Sequence, residues 1–157
     1  MPDVPQQFLA ESRDFLTQYY LPEIERCVAL LTDEQVWWRA NEASNSIGNI
    51  LVHLAGSSRF WAAEVIGGEP TGRVRQLEFD QRGPVPGRQL VEELRASVEE
   101  VERRLAGLSG EALLETRTAR KEIVTVLFAV YHIVEHFAMH TGQIISMTKA
   151  LAGEAGK

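Results

Sequence analysis

Apolar residues return every three or four positions along most of the chain, a period that only helices can bury on one face. The C-terminal stripe is the most regular: Val126, Val130, Ile133, Phe137, His140, Ile144, Met147 and Leu151 share one side at 100° per residue. Leu90, Leu94, Val98, Val101, Leu105 and Leu108 make a second seam, and the mixed charges of 92–104 behind it read as a solvated face. A third seam runs through Leu9, Phe15/Leu16, Tyr19/Tyr20, Ile24, Val28 and Leu31. The fourth uses Ile47, Ile50/Leu51, Leu54, Trp61 and Val65. Pro22 lacks an amide donor and crowds the turn before it, which predicts a kink or restart near Tyr20. Thr32-Asp-Glu-Gln35 has capping-box form, Asn45 and Ser46 offer N-caps, and Gly67-Gly68 is a stop.

The segments between these seams predict connections. Residues 67–88 contain Gly67, Gly68, Gly72, Gly83, Gly87, Pro70, Pro84 and Pro86, too many breakers for a helix. A 20-residue helix is about 30 Å long, and this crossover is long enough to return the chain along it, so helices two and three are expected to run parallel. Residues 109–122 read as a linker, and 152–157 as a frayed tail. With no alternating strand pattern, the expected fold is all-α, a four-helix bundle forming a single domain over 1–157.

Charge and cysteine content narrow the function. Asp+Glu 22 against Lys+Arg 16 gives a formal charge of −6, which argues against a phosphate-backbone binder and so against nucleic acid. The single cysteine, Cys27, cannot form an internal disulfide, and a reducing, cytoplasmic compartment suits it. The N-terminus has no basic flank or apolar stretch of the secretory kind. The longest apolar run, Val126 to Tyr131, is far too short to cross a membrane.

The four histidines carry the functional signal. His140 lies within the core-facing arc of the last stripe, and His136 sits one turn back toward its edge. His53 lies on the second helix beside Asn49, Gly56 and Ser57, a clearing with room for ligands. Two histidines at i and i+4 can chelate one ion, and a third imidazole from another helix completes a facial set with open positions. A lone histidine on a helix flank is more often a hydrogen-bonded structural residue, so spacing alone leaves both alternatives open. His132-Ile-Val-Glu135-His136 also matches the H-x-x-E-H pattern of inverted zinc peptidases. Glu135 falls opposite the apolar stripe, however, and only residues 137–157 remain to supply a third ligand, so that alternative fails on geometry and length.

Asn45-Ser-Ile-Gly-Asn-Ile-Leu-Val-His53-Leu-Ala-Gly, followed by Val134-Glu-His136-Phe-Ala-Met-His140-Thr-Gly-Gln-Ile144, resembles the DinB/YfiT-like metalloenzyme superfamily, nearest to a branch of unknown function. The resemblance covers nearly the whole chain. It implies up-down-down-up connectivity and a divalent metal held by His53, His136 and His140; three imidazoles suit zinc, nickel or iron(II) alike. His132 falls outside that set. It further implies a bacterial, cytoplasmic protein, a homodimer, and a small-molecule substrate. Characterised relatives use the metal to activate low-molecular-weight thiols, so a thiol-dependent S-transferase is the expectation, with a non-catalytic metal-binding or interaction bundle as the alternative.

Other positions carry weaker signals. Gln143 and Asn49 each stand one turn from a histidine, and each either binds a substrate or bridges helices. Gly142 reads as a close-packing position. Cys27 faces the core side of the first helix as an inert thiol. Trp37, Trp38 and Trp61 read as packing anchors. Arg73, Arg75, Arg82 and Arg88 either grip an anionic substrate or lie solvated on the crossover.

Overall fold

The computed structural model describes residues 3–153. Its first helix, α1, runs continuously over 4–29, with Asp3 capping Gln6 N at 2.9 Å. The irregularity falls where Pro22 predicts a restart: the turn over Phe15–Tyr20 widens to π-helical spacing, Leu21 N–H reaches the Leu16 carbonyl five residues back, and regular α-helix resumes at Leu21. A one-turn helix, α2 (Asp33–Val36), starts on the Thr32/Gln35 capping box. The third helix, α3, covers 47–66, capped by Ser46 and again widened to π spacing over Phe60–Ile66. After it come α4 (Arg75–Asp80), α5 (Gly87–Ala106), a 3-10 turn (Glu111–Leu114), β1 (Thr116–Ala119), β2 (Glu122–Thr125) and α6 (Val126–Ala152).

The core lies where the four apolar seams meet. Leu16 and Ile24 of α1, Leu51 and Leu54 of α3, Leu94 and Val98 of α5, and Ile133, Phe137 and Ile144 of α6 are all buried. Helix α3 packs along α5, and α1 and α3 both pack on α6. The architecture is therefore predominantly helical, as the period demands.

Two expectations are corrected. The crossover is not helix-free: α4 occupies its middle, six residues long between Gly72 and Gly83. Nor is 109–122 a bare linker in a purely α fold. It leads into an antiparallel hairpin that pairs Thr116 with Thr125 and Ala119 with Glu122 across the two-residue turn Arg120-Lys121. The expected tail overlaps the end of α6 at Ala152, and 154–157 lie outside the described residues. Among the described residues no helix is long and apolar enough to cross a membrane.

Candidate metal centre

Helix α3 places His53 one turn past its buried capping box. Helix α6 presents His136 and His140 on successive turns. The three rings converge: His136 Nε2 lies 3.1 Å from His53 Nε2 and 3.0 Å from His140 Nε2. His53 is buried, and the other two are half-buried.

Neighbouring groups engage the Nδ1 atoms of His53 and His140. His53 Nδ1 lies 2.8 Å from Glu78 Oε2, and a carboxylate can only accept, so Nδ1 donates and Nε2 is the nitrogen turned toward the other two rings. Burial raises the Glu78 pKa, but the hydrogen bonds from Arg73 and His53 outweigh it and hold the carboxyl below its usual range. His140 Nδ1 donates to Gln143 Oε1 at 2.7 Å, which likewise leaves the His140 Nε2 lone pair facing inward. Burial, followed by the neighbouring imidazoles, pushes His136 down to about 3. Burial also lowers His140, with the Gln143 bond working against it. These two rings are neutral at neutral pH.

That arrangement fits a cation. His136 Nε2 has one in-plane bonding direction and can share at most one proton, yet two ring nitrogens face it at hydrogen-bond distance. Two imidazole nitrogens each roughly 2.0–2.1 Å from one ion, at angles between octahedral and tetrahedral, stand roughly 2.8–3.4 Å apart. Both observed separations fall in that interval.

The side chains behind His53 were not legible as part of the site. Glu78 comes from α4, and Arg73 grips it with two bonds, Nε to Oε1 at 2.6 Å and Nη2 to Oε2 at 2.9 Å. Arg73 is thus no substrate grip but the partner of a buried carboxylate. Gly56 makes room for this pair, since a Cβ there would overlap the Glu78 carboxylate. The clearing beside His53 is filled by protein. Asn49 bridges elements: its Nδ2 donates to the carbonyls of Glu78 at 2.9 Å and Gln81 at 3.0 Å, while its Oδ1 completes the Ser46 cap. One residue therefore starts α3 and pins α4 beside it.

The remaining candidates sort as follows. His132 lies outside the triad, stacked on His136 with ring centroids 5.4 Å apart and bonded through Nδ1 to Glu135 at 2.9 Å. Glu135 is exposed and engaged there, not in the triad. Gln143 makes a bond within its own helix instead of bridging two. Gly142 is exposed with open space around it, which corrects its assignment as a close-packing position. Cys27 is fully buried, and burial raises its thiol pKa, as an inert core cysteine requires. Trp37 is anchored by its Nε1 bond to the Val85 carbonyl, whereas Trp38 is exposed. Arg75 lies over the Phe79 ring, Arg82 donates to loop carbonyls, and Arg88 is solvated.

Fold and cluster together define a helical protein with a three-histidine centre between two helices, able to hold a metal ion. The family model of the DinB superfamily matches residues 22–144, and the chain belongs to that superfamily. A conserved protein from Enterococcus faecalis has a similar fold at 15% identity and a TM-score of 0.80, covering 98% of this chain and 100% of its own. A DinB-like protein from Bacillus cereus is similar at 13% identity and a TM-score of 0.67, with 85% and 86% covered. No curated protein matches the sequence.

Proposed function

We propose that the chain is a divalent-metal-dependent enzyme of thiol chemistry, an S-transferase or close variant, built on a four-helix bundle with up-down-down-up connectivity. His53, His136 and His140 would hold the ion, and zinc, nickel and iron(II) all accept three imidazoles. The observation that carries this is the convergence of three Nε2 atoms, with the Nδ1 atoms of His53 and His140 each turned outward to a hydrogen-bond acceptor. With the ion bound, its charge lowers the pKa of a coordinated thiol or water. The chain's own residues do the positioning: Arg73 keeps Glu78 ionised, Glu78 holds the His53 ring by its Nδ1 proton, and Gln143 holds His140. A low-molecular-weight thiol, a small electrophile and a second copy of the chain are the proposed partners, and the cytoplasm the proposed location.

A non-catalytic, metal-stabilised bundle is the second reading. It is favoured by one observation, that the carboxylates of Glu78 and Glu135 are already committed and neither is free to act as a general base. Elemental analysis of untagged protein tests the metal first. About one ion per chain is expected in wild type, and little in a His136→Ala variant shown by circular dichroism to be folded. Stoichiometry far below one in wild type would sink the metal centre. A panel of thiols with an electrophile then separates the two, since turnover that depends on metal and thiol supports the enzyme and its absence with every thiol supports the scaffold.

A further inference from the structure

Beside the triad, a cleft of about 400 Å³ is lined by Phe60, Gly72, Arg73, Arg75 and Arg120, with Glu64 also in its wall. It shares Phe60 and Arg120 with a second hollow of about 500 Å³, whose walls include Trp61, Phe128, His132 and Lys121. In a chain of formal charge −6, these two adjoining hollows gather Arg73, Arg75, Arg120 and Lys121 against Glu64 and Glu122. Glu64 accepts from both the amide and the hydroxyl of Thr71, at 3.0 and 2.7 Å, which holds its carboxyl below the usual range and leaves one negative charge in the wall of the first hollow. Glu122, in the second hollow, is exposed on the hairpin. Arg73 is neutralised by Glu78. Arg75 and Arg120 are different, because among the described residues neither forms an ion pair; each lies instead over an aromatic ring, Phe79 at 4.7 Å and Phe60 at 5.4 Å.

Both rings lead to the histidines. Phe79 packs against His53 with centroids 4.8 Å apart. Phe60 meets Trp61, which meets His132, which stacks on His136. Arg120 is also held at a backbone angle that favours glycine: its φ of 58° makes it the one non-glycine residue with positive φ among the described residues. It occupies the first turn position of the hairpin, where glycine or asparagine fits without strain. A guanidinium placed there at a conformational cost, unpaired and facing a cleft, is a group arranged for a ligand.

We propose that this groove is an anion subsite beside the metal centre. Arg75 and Arg120 take the carboxylate or phosphate of a small molecule, for which the planar guanidinium fork is suited. The apolar part of that molecule lies against Phe60, Trp61 and Phe128. The combined volume suits a small-molecule site. The proposal rests on the metal-centre reading for its role in substrate binding, whereas anion binding itself is measurable without metal.

Calorimetric titration of the full-length chain, chelator-treated and zinc-loaded, with phenylphosphate, phenylacetate and neutral benzyl alcohol tests it. Saturable one-site binding of at least one anion is expected in both forms, with none for benzyl alcohol at the same concentrations. The tighter of the two anions identifies the headgroup. Affinity should fall at least tenfold in Arg120→Gly and in Arg75→Gln and stay unchanged in Arg82→Gln. Arg120→Gly should also melt at a higher temperature than wild type, because glycine relieves the positive φ. Arginine-dependent anion binding in a chain that fails to take up zinc would uphold the subsite, and the failed zinc uptake alone would overturn the metal centre. Absence of saturable binding by either anion, or arginine variants that bind like wild type, would overturn the subsite whatever the metal content.

Discussion

Glu78 reaches His53 from 25 residues away in the chain and turns an ordinary imidazole into a fixed one. Its side chain and that of Arg73 are 8% and 9% exposed, so their ion pair sits where an unpartnered charge is costly. Glu78→Gln keeps the shape but removes the charge, and leaves the Arg73 cation buried. The expected result is metal affinity lower by about 10–100-fold, measured by competition with a chromophoric chelator, and a stability loss of about 3 kcal/mol in urea melts. Unchanged affinity would show that Glu78 does not orient His53. Gly56→Ala acts on the same pair by pushing a methyl group into the carboxylate. It should weaken metal binding as Glu78→Gln does, and the double variant should fall short of the sum, because both changes remove one interaction.

At the scale of elements, what was legible in the sequence depended on length. Helix α6 repeats its apolar period through seven turns and carries a Thr125 cap, so its limits and its two inward histidines follow from the pattern. Helix α4 has six residues, too few to repeat a period, and breakers on both sides hide it; Glu78 was invisible for that reason. The hairpin gives no such signal, because Arg120-Lys121 carries none of the glycine or asparagine that marks a tight turn. Asn49 and Gly56 were visible as residues of a motif, but their partners lie on α4, so their work could not be read from spacing. Gly142 gives the converse case, a glycine inside the second motif that packs against nothing. Gly142→Ala therefore gains helix propensity without a clash and should stabilise the chain by about 0.5–1 kcal/mol, with metal stoichiometry unchanged. Loss of stability in chemical denaturation would show that something covers this face of α6.

Across the whole molecule, the buried centre couples folding to pH and to metal. Burial holds the folded His136 near 3, below the ordinary histidine value of about 6.5, so between those limits the unfolded chain binds a proton that the folded chain excludes. Stability is then fully present above about pH 6.5 and drains away as pH falls toward 3. Glu78, whose carboxyl is also held low, adds a loss of the same sign at the acid end. Chelator-treated protein should melt at a constant temperature from pH 8 to 7 and at progressively lower temperature below about 6.5, and His136→Gln should make that decline shallower. At pH 7.5 a divalent ion that binds only the folded chain adds RT ln(1 + [L]/Kd), about 4 kcal/mol at a thousandfold excess over Kd. That increment should vanish in His53→Ala and in His136→Ala alike, because each removes one corner of the triad. A melting temperature that zinc, nickel and iron(II) all leave unmoved in wild type would mean that the three imidazoles meet for packing alone.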